Sequence, residues 1–122
     1  ITPRTTSSKF LIFVSTSGYT NGGYSHVGYY TIMRGSTDLG SNNTGFADVY
    51  QGYNSTNTTH DDLGVPVSIC HVDHPPDAQS NNLSRTTAIT YKMSVRSSSN
   101  SYTCYWSMNG SKSSIIVMEL VT

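Results

Sequence analysis

Charged side chains are scarce in this chain: Asp, Glu, Lys and Arg make up 11% of its 122 residues, seven acids balance seven bases, and the net charge at pH 7 is zero. Binding to nucleic acid or to an anionic membrane needs a surplus of Lys and Arg on one face, so both partners are excluded. Apolar runs are short as well. None approaches the roughly 18 residues of a membrane-spanning helix, and no secretory leader opens the chain, which reads as soluble with no membrane insertion. Cysteine is limited to Cys70 and Cys104. They permit one disulfide without demanding it, because domains that depend on disulfides are usually smaller and richer in Cys. Two small apolar side chains on strands is the favoured reading.

Catalytic signatures are missing too. There is no G-x-S-x-G elbow, phosphate loop or zincin helix. A glycosidase needs two Asp or Glu side chains at a set separation, and apart from the neighbours Asp61 and Asp62 no pair stands out among the seven acids. The chain is therefore read as non-enzymatic, with no cofactor. Two clusters combine imidazole with carboxylate, the chemistry of a transition-metal site: His71, Asp73 and His74 in HVDHPP, and His60, Asp61 and Asp62. On a strand His71 and Asp73 share a face while His74 points away, which is poor geometry for one ion. No metal is assigned, His71 and Asp73 remaining the weak candidates, and Asp73 is expected to hydrogen-bond its own backbone before the prolines.

What is present is hydroxyl, amide and β-branched or aromatic side chains. Ser, Thr and Asn occupy 45 positions, and every apolar stretch is dominated by residues that favour strands over helices. At this length the chain is one domain that buries about two-thirds of its unfolded surface. KFLIFVS predicts a strand covered on both faces, SGYTNGGYS a turn, and VGYYTIMR and FADVYQGY further strands. LGVPVSICHVD predicts a strand that Pro66 places at an edge or a bulge. TAITYKMSVRS alternates, with Ile89, Tyr91, Met93 and Val95 on one face and Thr90, Lys92, Ser94 and Arg96 on the other, as a strand with one wet face does. Asn109-Gly110 is a type I′ hairpin signal, so Tyr102–Met108 is expected to pair with Ser113–Leu120. Short strands at this spacing predict an all-β antiparallel sandwich or barrel-like sheet.

Nine tyrosines stand out in so polar a chain. Tyr19, Tyr24, Tyr29, Tyr30, Tyr50 and Tyr53 fall in or near Gly- and Asn-rich segments, and Tyr with Asn and Ser is the composition of adaptable binding loops. The alternative is that most of these rings cap the core with their hydroxyls outward. Tyr19, Tyr24 and Tyr53 are expected to be exposed and, with Asn21, Asn54 and Asn57, are the candidate ligand-binding residues. Trp106 is expected in the core. Sequons at Asn42, Asn54, Asn57, Asn82 and Asn109 follow from the Ser and Thr content.

SSKFLIFVS near the start, IMRGSTDLG in the middle, HVDHP followed by TTAITYKMSVRSSS, and SSIIVMEL at the end resemble, in that order, a C-terminal domain common in tailed phages and other viruses, especially marine ones. In that family a final strand of the form S-S-I-I-x-M-E closes a trimeric jelly-roll knob on a fibre, spike or capsid decoration protein. The resemblance implies a non-enzymatic homotrimer on the virion surface, attached to the shell or a fibre stalk. Its outer loops would meet a host cell-surface glycan or protein. Residues 1–8 are then a lead-in from a preceding part, and 9–122 the knob. Two other readings stay open: a capsid-stabilising decoration protein that binds no receptor, and a cellular lectin-like adhesion module.

The last strand carries a further expectation. Ile116, Met118 and Leu120 face one way and Ile115, Val117, Glu119 and Val121 the other, so both faces are apolar and something beyond the partner sheet is expected to cover one. Ile115, Val117 and Glu119, with Arg34 and Arg96, are the expected trimer-interface residues. A buried Glu119 needs a partner. Arg34, Arg96, Lys92 and Lys9 are the candidates, an arginine fitting a carboxylate best. The alternative is a rim glutamate reaching solvent.

Overall fold

The computed structural model describes residues 1–5, 7–21, 26–40, 44–51, 64–75, 88–100, 103–107 and 111–120; residues 21, 26, 50 and 51 are described by their backbone alone. These form eight strands: β1 Lys9–Asn21, β2 His26–Arg34, β3 Thr37–Asp38, β4 Ala47–Gln51, β5 Gly64–Asp73, β6 Tyr91–Ser97, β7 Thr103–Trp106 and β8 Ser114–Leu120. The expected all-β antiparallel sandwich is what the chain forms. Beyond it, the two sheets share one plan.

Each sheet is three lanes wide, with a long strand in the middle. In the first, β1 has β5 on one side and, on the other, β8 beside Lys9–Ser15 and β7 beside Gly18–Asn21. In the second, β2 has β6 on one side and both β4 and β3 on the other. One edge of each sheet is thus a single lane broken by a loop. Between the stretches that pair with β7 and β8, β1 leaves only Thr16 and Ser17, and between those that pair with β4 and β3, β2 leaves only Thr31 and Ile32. Seryl and threonyl hydroxyls tie the first break down, Thr16 to Ser113 at 2.6 Å and Ser17 to Ser111 at 2.7 Å.

This corrects the expected terminal hairpin. β7 and β8 run in the same direction along β1 and do not pair with each other; Asn109 and Gly110 lie outside the described residues. An Asn-Gly turn favours a hairpin only if the two strands find no better partner, and the long central β1 offers both of them one. β1 also runs on to Asn21, through half of the segment predicted as a turn. Gly18 continues the strand because the Tyr30 ring lies across it: a Cβ there would stand 2.8 Å from Tyr30 Cζ and 2.9 Å from Val49 Cγ2.

The core follows from strand alternation. Phe10, Ile12 and Val14 of β1, Tyr30 and Ile32 of β2, Val49 of β4, and Val67 and Ile69 of β5 are buried together. Met93, Val95, Ile115 and Val117 pack against them. Burying each of these large side chains contributes about 1.5–3 kcal/mol. β5 pairs with β1 alone, so Pro66 sits on an edge strand as expected. Across the sandwich β1 faces β2, β5 faces β4 and β7 faces β6.

Candidate functional site: the two outer faces

The outer face of the first sheet is apolar and uncovered. The strand register sets Cys70, Phe13 and Ile116 in one row and Val72, Leu11 and Met118 in the next. Phe13, Val72, Ile116, Met118 and Leu120 are all exposed, Ile116 by 54%. These are five of the eight exposed large apolar side chains among the described residues. KFLIFVS, predicted to be covered on both faces, buries Phe10, Ile12 and Val14 on one and leaves Phe13 exposed on the other. A shallow hollow of about 290 Å³ crosses the face where Phe13, Cys70 and Ile116 meet Ser15, Ser68 and Ser114. Cys70 is exposed there and Cys104 is half-buried on the other side of the sheet; both are free thiols.

Of the residues assigned to a subunit interface, Ile115 and Val117 turn inward onto the chain's own core cluster. The uncovered side of β8 is the other one. Glu119 also points inward, and its side chain keeps only 10% exposure. Its partners are not the four expected. The Arg4 backbone N–H donates to Oε1 at 2.6 Å, the Ser8 hydroxyl donates to the same oxygen, and Arg4 Nε lies 3.7 Å from Oε2. These contacts, the Arg4 N–H foremost and Ser8 next, hold the carboxyl below its ordinary range. The segment expected as a lead-in is therefore packed on the sandwich. At its start Ile1 and Ile89 exchange backbone hydrogen bonds of 2.9 and 2.8 Å.

Arg34 belongs to a different ion pair. Its Nη1 donates to both oxygens of Asp73, at 2.7 and 3.0 Å, and the Tyr91 hydroxyl donates to Asp73 Oδ2 at 2.7 Å. Asp73 is buried at the end of β5, while Arg34 and Tyr91 come from the opposite sheet. The group therefore stitches the two sheets together. Burial, and then the Asp73 carboxylate, push the Tyr91 hydroxyl far above its ordinary pKa. The expectation that Asp73 bonds its own backbone is replaced by this network, which also takes up the carboxylate a metal would need. His71, on the same face, lies with its ring 4.7 Å from that of Phe46. Among the described residues no three His, Cys, Asp or Glu side chains gather in a way that could hold an ion.

The outer face of the second sheet is polar. Asp48, Tyr29 and Arg96 form one row across β4, β2 and β6, and Thr31 and Ser94 the next. The Arg96 guanidinium lies over the Tyr29 ring, 5.1 Å from its centroid. Between Tyr29, Thr31, Asp38, Ser94 and Arg96 is a hollow of about 340 Å³, with Met33 and Gly45 completing its wall. Asp38 is held in place: the Thr31 hydroxyl and the Gly40 N–H, the latter at 2.9 Å, both donate to Oδ1. Gly45 closes in against β2 with φ of 66°, and a Cβ on it would stand 2.5 Å from the Tyr30 carbonyl oxygen, so no other residue fits. Asp38 and Gly45, from the two sides of the break in the edge lane, thus wall the hollow. Arg96, expected at a subunit interface, lines this hollow.

Tyr19, expected to be exposed, is 4% exposed and lies beside Tyr105. Trp106, expected in the core, is 39% exposed. Of the other candidate ligand residues, Asn21 ends β1, and Tyr24, Tyr53, Asn54 and Asn57 lie outside the described residues, as do the His60, Asp61, Asp62 cluster and all five sequon asparagines. The polar hollow was missed because its residues are dispersed, from 29 to 96 in the sequence. The alternation Thr90, Lys92, Ser94, Arg96 was its only trace. No protein-family model, curated protein or solved structure matches the chain.

Proposed function

We propose that this chain is an assembly module of a virion surface protein, a jelly-roll-like homotrimeric knob that adheres to a host-surface glycan or protein without catalysis. The observation that carries the reading is the uncovered apolar face of the first sheet. Five large side chains, each more than a third exposed, lie together on strands whose other side already packs a complete core. They make a patch on the order of a few hundred Å², a size at which an apolar surface on a soluble protein commonly has a partner. The resemblance carried by the short sequence motifs suggests the number of subunits and the virion setting, and the last of them, SSIIVMEL, contains β8. Three weak receptor contacts per knob, repeated over many knobs, would hold a particle firmly through effective concentration.

Light scattering on the purified chain across a dilution series tests the assembly. The expected mass is three times that of the chain, with retention on host cells that a monomeric Ile116→Asp variant lacks. A monomer at every concentration overturns the trimer. A stable trimer that cells do not retain favours the capsid-stabilising role.

A further inference from the structure

We infer that the hollow on the outer face of the second sheet is a binding subsite for a neutral pyranose sugar. This deepens the adhesion reading given above, but the site is complete within one chain. Its volume, about 340 Å³, is at the small end of the range of ligand pockets, roughly 300–1,000 Å³, and suits one small ring. The chemistry of its lining selects the class. Among the described residues one acid, Asp38, and one base, Arg96, contribute opposite charges to the wall. The site therefore favours neither a free anion nor a free cation. A polyhydroxylated ring can donate hydroxyl protons to the carboxylate and accept from the guanidinium, using the same group type for both.

Two features make this a built site rather than a chance gap. Asp38 Oδ1 takes both bonds that anchor the side chain, from Thr31 and Gly40, while Oδ2 accepts none among the described residues. A fixed carboxylate with one oxygen in reserve is positioned to receive a ligand hydroxyl. Arg96 is held over the Tyr29 ring by a cation–π contact, so less rotamer freedom is left to lose on binding. Thr31 and Ser94 add hydroxyls, and the Tyr29 ring and Met33 offer apolar surface to the C–H edge of a sugar.

The test is a proton–nitrogen NMR titration of the whole chain with glucose, galactose and N-acetylglucosamine, set beside glucuronate and glycine. A neutral sugar is expected to saturate shifts centred on the amides of residues 29–33, 38–40, 44–45 and 94–96, with affinity of roughly millimolar strength. Asp38→Asn keeps the anchored oxygen but turns the other acceptor into a donor, so the fold survives while affinity falls about tenfold or more. Arg96→Gln should weaken binding by a similar factor. Ile116→Asp, on the opposite face, should leave the affinity per chain unchanged, so loss of assembly and loss of the sugar site are read separately. The proposal is overturned if no neutral sugar saturates these amides, if glucuronate or glycine does so instead, or if Asp38→Asn binds as well as the parent.

Discussion

The hydroxyl of Tyr30, from the second sheet, donates to the carbonyl oxygen of Tyr105 in the first, at 2.9 Å, and accepts from the Tyr19 N–H at 2.9 Å. One phenol thus crosses the sandwich and enters the β1–β7 ladder between two residues that are direct partners in its register. Burial raises its pKa to about 12, so it stays neutral and able to donate. Tyr30→Phe removes the bridge and leaves a backbone N–H and a carbonyl without their partner, at a cost of about 1–3 kcal/mol. Gly18→Ala strikes the same ring from the other side, overpacking it by about 1–3 kcal/mol. Urea denaturation of the two variants measures both. Because they act on one contact, the double variant should lose less than the sum.

The Arg34, Asp73 and Tyr91 network gives a graded prediction. Asp73→Ala leaves a guanidinium with its partner removed at 15% side-chain exposure and should cost about 3–5 kcal/mol. Tyr91→Phe removes one hydrogen bond to a charged acceptor and should cost about 1.5–3 kcal/mol. Arg34→Met with Asp73→Leu, replacing the pair by apolar groups, should recover most of the loss, since a buried ion pair contributes little beyond what such groups supply. Thermal melts in that order of stability support the stitch. Equal melts for Asp73→Ala and the parent would falsify it.

How much of this was legible beforehand depended on the range of the interaction. Alternation in TAITYKMSVRS is a local property, and it put Met93 and Val95 on the core-facing side correctly. Pro66 likewise reported an edge through its own missing donor. Pairing is not local. Asn109-Gly110 predicted a partner for β8 four residues away, and the strand found it about a hundred residues away in β1. Glu119 is the same case: its partners, Arg4 and Ser8, sit more than a hundred residues away, in the segment read as a lead-in. The face of β8 was read as two-sided, which it is, but sequence alternation cannot say which side the chain itself will cover.

Glu119 makes the docking of that segment pH-dependent. Its carboxyl is held below the ordinary range in the folded chain by the Arg4 N–H, the Ser8 hydroxyl and the Arg4 charge. A group whose folded pKa is lowered contributes stability above its unfolded value, and that contribution disappears as pH falls through the folded one. The Arg4 and Ser8 amides should therefore exchange hydrogen faster as pH falls below the usual glutamate range, after correction for intrinsic exchange, while those of Phe10 and Ile12 stay protected. Glu119→Gln should show the fast behaviour already at neutral pH. Equal protection in the variant and the parent at neutral pH removes the role assigned to the carboxylate.

Neighbouring isoleucines on the last strand provide the most direct separation of folding from assembly. Ile115 packs on the core cluster, and Ile116 is 54% exposed on the outer face. A carboxylate introduced at 115 would be forced into apolar surroundings without a partner, a cost of several kcal/mol that a domain of this size rarely survives. The same carboxylate at 116 meets water in the isolated chain and should leave its melting temperature within a few degrees, because surface substitutions usually stay within about 0.5 kcal/mol. In an assembly that buries this face, the 116 carboxylate becomes the unpaired charge. Ile115→Asp is therefore expected to lose the folded far-ultraviolet spectrum, and Ile116→Asp to keep it while shifting the scattering mass to that of one chain. An Ile116→Asp variant that assembles like the parent would mean that the apolar face is not where the subunits meet.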